Sequence, residues 1–295
     1  MVRVTEAKVD TVKTYNEIYF EARKWLKSKG IEAYNLESRL IVSKAAGKTK
    51  EEFVRDSVLY VNDGFEEKVE ELIKRRLSGE PVAYITGEWE FYGLPIEVTP
   101  DVLIPRIDTE ILADTAIEIL KTRESGTRVL DLCSGSGCLG IAVAANVPDC
   151  RVILLDDSVA ALKQSRINVI RNSLTRSVTC IDADALGVPP MLLGRFDMIV
   201  CNPPYIPSKE IKRLDHSVKD YEPRRALDGG DDGLRFYRNI AARWKVILKE
   251  GGALLFECGA GQADTVKLIM SANGFKDITV AKDTIGVDRV VCGII

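Results

Sequence analysis

Two rhythms of apolar residues divide the chain near residue 85. Before that point apolar positions fall three and four apart, the spacing that lines one face of a helix. In YNEIYFEARKWLKSKG this puts Ile18, Ala22, Trp25 and Leu26 on one stripe, with Gly30 as a C-terminal cap. NLESRLIVSKAAG repeats the pattern and stops at Gly47. FEEKVEELIKRRLSGEP gives a third helix with Val69, Leu72, Ile73 and Leu77 on its apolar face and Pro81 beyond its end. Residues 1–88 therefore read as a small all-helical domain. Residues 89–106, WEFYGLPIEVTPDVLIPR, mix aromatic and β-branched residues with Gly and Pro and read as a hairpin-like linker. A helix is expected in DTEILADTAIEILK, with Ile111, Leu112, Ala116, Ile119 and Leu120 inward.

Beyond residue 126 the rhythm becomes strand, turn, helix. The strands predicted are RVLDL, RVILLD, VTCID, DMIV, ALLFEC, ITVAKD and RVVCGI. The early ones are unbroken apolar runs, as expected for strands covered on both faces. With helical stretches between several of them, residues 107–295 form an α/β domain built on an open, mostly parallel, doubly wound sheet. Only TIGVD separates the last two strands, too short for a helical crossover, so they should form an antiparallel hairpin.

Composition narrows the function classes. The 295 residues are 46% hydrophobic and carry a net charge of −3, so the chain shows no basic footprint for a polyanion. The first eighty residues hide none, with 16 Lys and Arg against 15 Asp and Glu. No apolar run reaches a membrane span, and MVRVTEAKVD lacks a signal-peptide core, so a cytoplasmic location is expected. None of the seven cysteines forms a Cys-x-x-Cys pair and His216 is the one histidine, so no metal is expected and the cysteines read as buried thiols.

The candidate chemistry lies at two strand ends. VLDLCSGSGCLGIAVAA runs from strand to helix through Gly135, Gly137 and Gly140, the Gly-x-Gly-x-x-Gly spacing of a nucleotide-cofactor turn. No Lys or Arg occurs from 131 to 140, and Asp131 is predicted at the strand end. A carboxylate there repels a pyrophosphate and attracts a cation. S-adenosylmethionine, with a positive sulfonium and a positive α-amino group, fits better than NAD. Asp156, at the end of the next strand, could accept from both ribose hydroxyls. Asp184 could reach the adenine amino group, and nearby Asp182 keeps that choice open. The second stretch, FDMIVCNPPYIPS, places Asn202 at the end of the fourth parallel strand, facing the same crevice as Asp131. Pro203 and Pro204 hold the Asn202 backbone stiffly. The Asn202 oxygen and a free backbone carbonyl could then accept both hydrogens of a substrate –NH₂, with Tyr205 offering a ring face to developing positive charge. The implied chemistry is in-line displacement at the sulfonium methyl, driven mainly by alignment.

These stretches closely resemble the HemK-type peptide chain release factor N5-glutamine methyltransferases, from about residue 70 to the C-terminus. RRLSGEPVAYITGEWEFYGLPIEVTPDVLIPRIDTE, LDLCSGSG, DDSVAALKQSRIN, FDMIVCNPPYIPS, DYEPRRALDGGDDGLRFYR, LKEGGALLFECGAGQ and GVDRVV carry the resemblance. It implies a Rossmann-like, seven-stranded class I methyltransferase domain and, as substrate, the glutamine amide in the Gly-Gly-Gln loop of bacterial-type class I release factors. It implies that Asn202, Pro203 and Pro204 bind the amide with Tyr205 beside it. Cys133, Ser134, Gly135, Ser136, Gly137, Asp156, Asp184 and Ala185 would hold S-adenosylmethionine, with Asp131 and Asn202 adjoining. The helical N-terminal domain would grip the release factor, and Glu222 and Arg224 would brace a loop near the site. Two departures stand out: Cys133 replaces the usual first glycine of the loop, and Ile107 a usual proline. Asp108–Glu110, the DTE stretch, favours the release-factor subgroup over enzymes that methylate a ribosomal protein glutamine. An N6-adenine DNA or RNA methyltransferase would use the same Asn-Pro-Pro-Tyr turn, but must hold a polyanion that this charge balance does not suit. A non-catalytic binding module would be expected to have lost Asn202 or the glycine loop, and both are present.

Overall fold

A computed structural model describes residues 12–295, which divide into two compact units, one ending at Thr86 and the other running from Gly87 to Ile295. The first unit is helical: α1 (Tyr15–Ser28), α2 (Tyr34–Ala46), α3 (Lys50–Asp56), α4 (Phe65–Leu77) and α5 (Val82–Thr86). Ile18, Ala22 and Leu26 of α1 are buried as expected, whereas Trp25 is only half-buried. Gly30 and Gly47 take left-handed φ values of 80° and 63° just past α1 and α2, which closes each helix. The seven-residue α3 has no apolar period, yet it starts at a capping box in which Thr49 and Glu52 satisfy each other's backbone N–H. Between α2 and α4, Arg76 forks onto Glu37 at 2.6 and 3.2 Å, pairing a carboxylate that is otherwise buried.

The second unit opens with a hairpin, β1 (Glu88–Phe91) and β2 (Leu94–Glu97). Tyr92 and Gly93 turn it with φ of 53° and 72°, the double left-handed turn that matches strand twist. The hairpin belongs to this unit, whereas the sequence set it apart as a linker. Tyr92 N–H donates to Glu110 and Asn172 Nδ2 to Pro95 O, while buried Phe91 and Ile96 anchor its inner face. Next come α6 (Ile107–Lys121), β3 (Arg128–Leu132), α7 (Cys138–Asn146), β4 (Arg151–Asp156), α8 (Val159–Arg171), β5 (Val178–Asp182), β6 (Phe196–Cys201), α9 (His216–Lys219), α10 (Arg235–Arg243), β7 (Leu248–Glu257), α11 (Ala263–Ala272), β8 (Lys276–Lys282) and β9 (Asp288–Ile294). The seven strands lie in the order β5-β4-β3-β6-β7-β9-β8. β9 pairs antiparallel with both β7 and β8, and the other ladders are parallel.

Helix α6 buries Leu112, Ala113, Ala116, Ile117 and Leu120, leaving Ile111 and Ile119 half-buried, a face turned slightly from the expected one. Ile107 is the exposed first residue of α6, a position where proline's fixed φ also suits a helix. Tyr237, Trp244, Phe196 and Phe256 are wholly buried where α10 meets the sheet. Among the described residues, no helix is long and apolar enough to cross a membrane.

Candidate active site

Strand order reverses at β3, whose neighbours are β4 on one side and β6 on the other, and a cleft opens outside the carboxyl ends of such strands. The β3–β6 register sets Asp131 beside Val200 and Leu132 beside Cys201, so the glycine loop and the Asn-Pro-Pro-Tyr turn leave the sheet side by side. Here lies a cleft of about 1140 Å³. Asp131, Cys133, Ser134, Gly135, Ser136, Asp156, Asp184, Ala185, Asn202 and Pro204 line it. Gly137, Pro203, Tyr205 and Asp182 do not.

The loop's shape is fixed from below. Cys133 takes φ of 59° and Gly135 φ of 53°, so a cysteine occupies a left-handed position that glycine fills at no steric cost. Ser165 Oγ donates to Gly135 O, and fully buried Asn168 donates to Ser136 O and Glu97 O, tying loop, α8 and hairpin together. Packing dictates Gly140, since a Cβ there would lie 2.3 Å from Leu154 Cδ2 and 2.9 Å from Val152 Cγ1, both in the core. At Gly135 a Cβ would meet no atom of the described residues within 4 Å beyond its own chain neighbours. Gly140→Ala should therefore lower stability by about 1–3 kcal/mol, the usual cost of overpacking. Gly135→Ala should cost only about 1–2 kcal/mol of backbone strain but lose most cofactor binding. Thermal melts and cofactor titrations of both variants check this pair, and a Gly135→Ala variant that keeps full cofactor affinity would contradict it.

Three features fit S-adenosylmethionine. Gly135 leaves room for a ligand against the loop, and buried Ser134 Oγ has no hydrogen-bond partner among the described residues. Asp131 and Asp156 bring two carboxyls to the cleft. Asp131 accepts from Gly140 N–H at 2.9 Å, and its carboxyl is pushed up to about 8, mainly by burial. Asp156 accepts from Gly135 N–H and Ser158 N–H, and burial raises it too. Among the described residues neither acid forms an ion pair, so a ligand bearing positive charge relieves the cost of ionising them. On the far side, the Trp244 indole N–H holds Ala185 O at 2.9 Å, and Asp184 Oδ1 accepts from Leu186 N–H to close the turn. Among the described residues, no group of three or more His, Cys, Asp or Glu could hold a metal ion.

The Asn-Pro-Pro-Tyr turn is clamped. Ile206 N–H donates to Leu227 O, Gly229 N–H to Ile206 O, and Gln262 Nε2 to Tyr205 O. A Cβ on Gly233 would stand 2.3 Å from Tyr205 O, so the chain of residues 229–233 presses directly on the turn. Asn202 Nδ2 donates to Thr109 Oγ1 at 3.0 Å. Tyr205 borders a second cavity of about 520 Å³, with Pro207 and Gln262, and the two cavities share Asp232. Glu222 is buried, accepts from Ile104 N–H and pairs with Arg106, so it braces the loop; Arg224 pairs with Asp228 at the surface. Sequence reasoning missed Pro105, Arg106, Thr109, Arg225 and Arg235 of the cleft wall. Thr109 sits within the DTE stretch and Arg225 within YEPRRALDGG, so the signal lay in segments noted for other reasons.

The description "methyltransferase small domain" matches residues 108–218, and "PrmC N-terminal domain" matches residues 17–87. The release factor glutamine methyltransferase of Geobacter sulfurreducens is 40% identical, over 95% of this chain and 96% of its own length. That of Clostridium botulinum is 35% identical, over 90% of this chain and 94% of its own. A solved methyltransferase from Pyrococcus furiosus shares the fold with a TM-score of 0.50 at 19% identity, covering 75% of this chain and 96% of its own.

Proposed function

The chain belongs to the release factor glutamine methyltransferase family, and we propose that its cleft joins S-adenosylmethionine to the side-chain amide of the glutamine in a Gly-Gly-Gln loop. The protein is an S-adenosylmethionine-dependent enzyme that methylates a release factor glutamine. We assign the substrate to the bacterial-type class I release factors, the location to the cytoplasm and the grip on the partner to the helical N-terminal unit that ends at Thr86. Residues 107–295 then make up the catalytic domain, with the hairpin of residues 88–97 fastened to it.

Bound S-adenosylmethionine supplies a methyl group on positively charged sulfur. Asp131 would hold its α-amino cation, Asp156 its ribose hydroxyls, and the Asp184–Ala185 turn its adenine, with residues 133–137 forming the loop beneath. Asn202 Oδ1 and the Pro203 carbonyl accept the two amide hydrogens of the glutamine and so direct its nitrogen. Pro204 lines the entry, and Tyr205, bordering the adjoining cavity, offers an aromatic face to the loop that carries the glutamine. Alignment of this kind is worth roughly 7–11 kcal/mol, and neither a metal nor a covalent nucleophile is required. The single observation that carries the reading is the pairing of Asp131 and Asn202 on one cleft at adjacent strand ends.

The test is methyl transfer from labelled S-adenosylmethionine, offered separately to a class I release factor, its loop Gln→Ala variant, a ribosomal protein and duplex DNA. Label confined to the unaltered release factor is expected. Equal label on the Gln→Ala variant, or label on DNA, contradicts it.

A further inference from the structure

The Asn202 side chain is chemically two-ended, and only its oxygen can receive a substrate –NH₂. Its –NH₂ end is turned to Thr109 Oγ1, 3.0 Å away on α6. Thr109 is 3% exposed, and its side chain faces that of Glu257, at the carboxyl end of β7 and 1% exposed, whose carboxyl it draws down. Glu257 Oε2 is buried with no hydrogen-bond partner among the described residues. We propose that Thr109 and Glu257 are positioning residues for the reaction, forming a buried relay that locks the Asn202 amide with its oxygen toward the cleft. This rests on reading Asn202 as the acceptor of the substrate amide.

The direction of the relay follows from donors and acceptors. An ionised carboxylate only accepts, so the Thr109 hydroxyl gives its hydrogen to Glu257. The Thr109 oxygen is then left to accept, and Asn202 must offer it N–H. Flipping the Asn202 amide would set two oxygens against each other beside Thr109 and two –NH₂ groups against each other in the cleft. Protonating Glu257 removes the constraint. A carboxylic acid can donate to Thr109, whose hydroxyl is then free to donate to the Asn202 oxygen and hold it away from the substrate.

Glu257 is placed to make that exchange near neutral pH. Burial pushes its carboxyl up to about 7, Thr109 draws it down, Asp108 on α6 raises it, and Arg289 on β9 and Arg106 before α6 lower it. Those arginines are engaged elsewhere: Arg289 with Asp108 and Asp283, Arg106 with Glu222. Tyr205 and Cys258, which also face Glu257, are both raised by burial and stay neutral in this range.

The experiment measures kcat and KM for release factor methylation by the full chain, at saturating S-adenosylmethionine, across pH 5.5 to 9. Saturation removes any effect of Asp131 on cofactor affinity. Wild type should show an acid limb, with kcat falling below an apparent pKa of about 7. Glu257→Gln should flatten that limb. Thr109→Val should lower kcat about tenfold, the worth of one hydrogen bond, with little change in KM, and Thr109→Ser should restore it. A persisting acid limb in Glu257→Gln, or Thr109→Ser as slow as Thr109→Val, overturns the relay even if the valine variant folds poorly. Asn202→Ala runs alongside: if it keeps full turnover, the reading of Asn202 fails, whereas an inactive Asn202→Ala with an unaffected Thr109→Val defeats the relay alone.

Discussion

Asn202→Ala should lower kcat by about 10²- to 10³-fold, the range seen when one preorganised polar contact at a reacting group is removed. The loss should be this large because nothing nearby can take over. Asn202 follows Cys201, a residue with no exposed surface at the end of a central strand, and precedes two prolines that fix its backbone. Gln262 and the chain at Gly229 and Gly233 hold the turn from the other side, so the loop cannot slide to bring another acceptor forward. Truncation leaves the fold intact, since it removes one bond to Thr109 from a side chain only half-buried. The melting temperature should therefore barely change while turnover collapses, and steady-state kinetics with a thermal melt check both halves.

Asp131→Asn should separate binding from stability in the opposite sense. The substitution is isosteric, and its oxygen can still accept from Gly140 N–H. What disappears is the negative charge, so affinity for S-adenosylmethionine should fall about 10- to 100-fold, the worth of about 1.5–3 kcal/mol for a hydrogen bond to a charged group. Stability moves the other way. The folded Asp131 carboxyl, at about 8, lies above its unfolded value of about 3.9, so the folded state holds an extra proton between them. Its stabilising contribution is full below about pH 4 and drains away as pH rises through about 8. Asparagine has no such loss. The variant should match wild type near pH 4 and melt higher at pH 8, by about 2–4 °C for each 1 kcal/mol in a domain of this size. Wild type should also release a proton when it binds the cofactor at pH 7, visible as a buffer-dependent binding enthalpy that the variant lacks. A variant that binds normally and melts lower at every pH would contradict the assignment.

The sheet was legible because its central strands are short and apolar throughout, with glycine or proline turns at their ends. The antiparallel end followed from a single short connection. Other features lacked a local signature. The stretch ILADTAIEIL is apolar on nearly every side, so its pattern could not choose between Ile119 and Ile117 as the inward residue of α6; packing chose Ile117. Helices α3 and α5 are too short to show a period. That the glycine loop and Asn202 open on one cleft was readable from their places at strand ends, since strand order brings those ends together. Thr109 was not, because its link to Asn202 spans 93 residues and depends on how α6 lies against the sheet. Nor was the side of the turn on which Tyr205 opens, since a proline-stiffened loop fixes its backbone but not which cavity a following ring borders.

The most direct test of the account is to locate the transferred methyl group. A class I release factor, incubated with this enzyme and S-adenosylmethionine, would be digested and sequenced by tandem mass spectrometry. One added methyl group on the glutamine side chain of the Gly-Gly-Gln loop is the result predicted, absent when Asn202→Ala replaces the wild-type enzyme. A methyl group on any other residue, or the same modification made at full rate by Asn202→Ala, would contradict it.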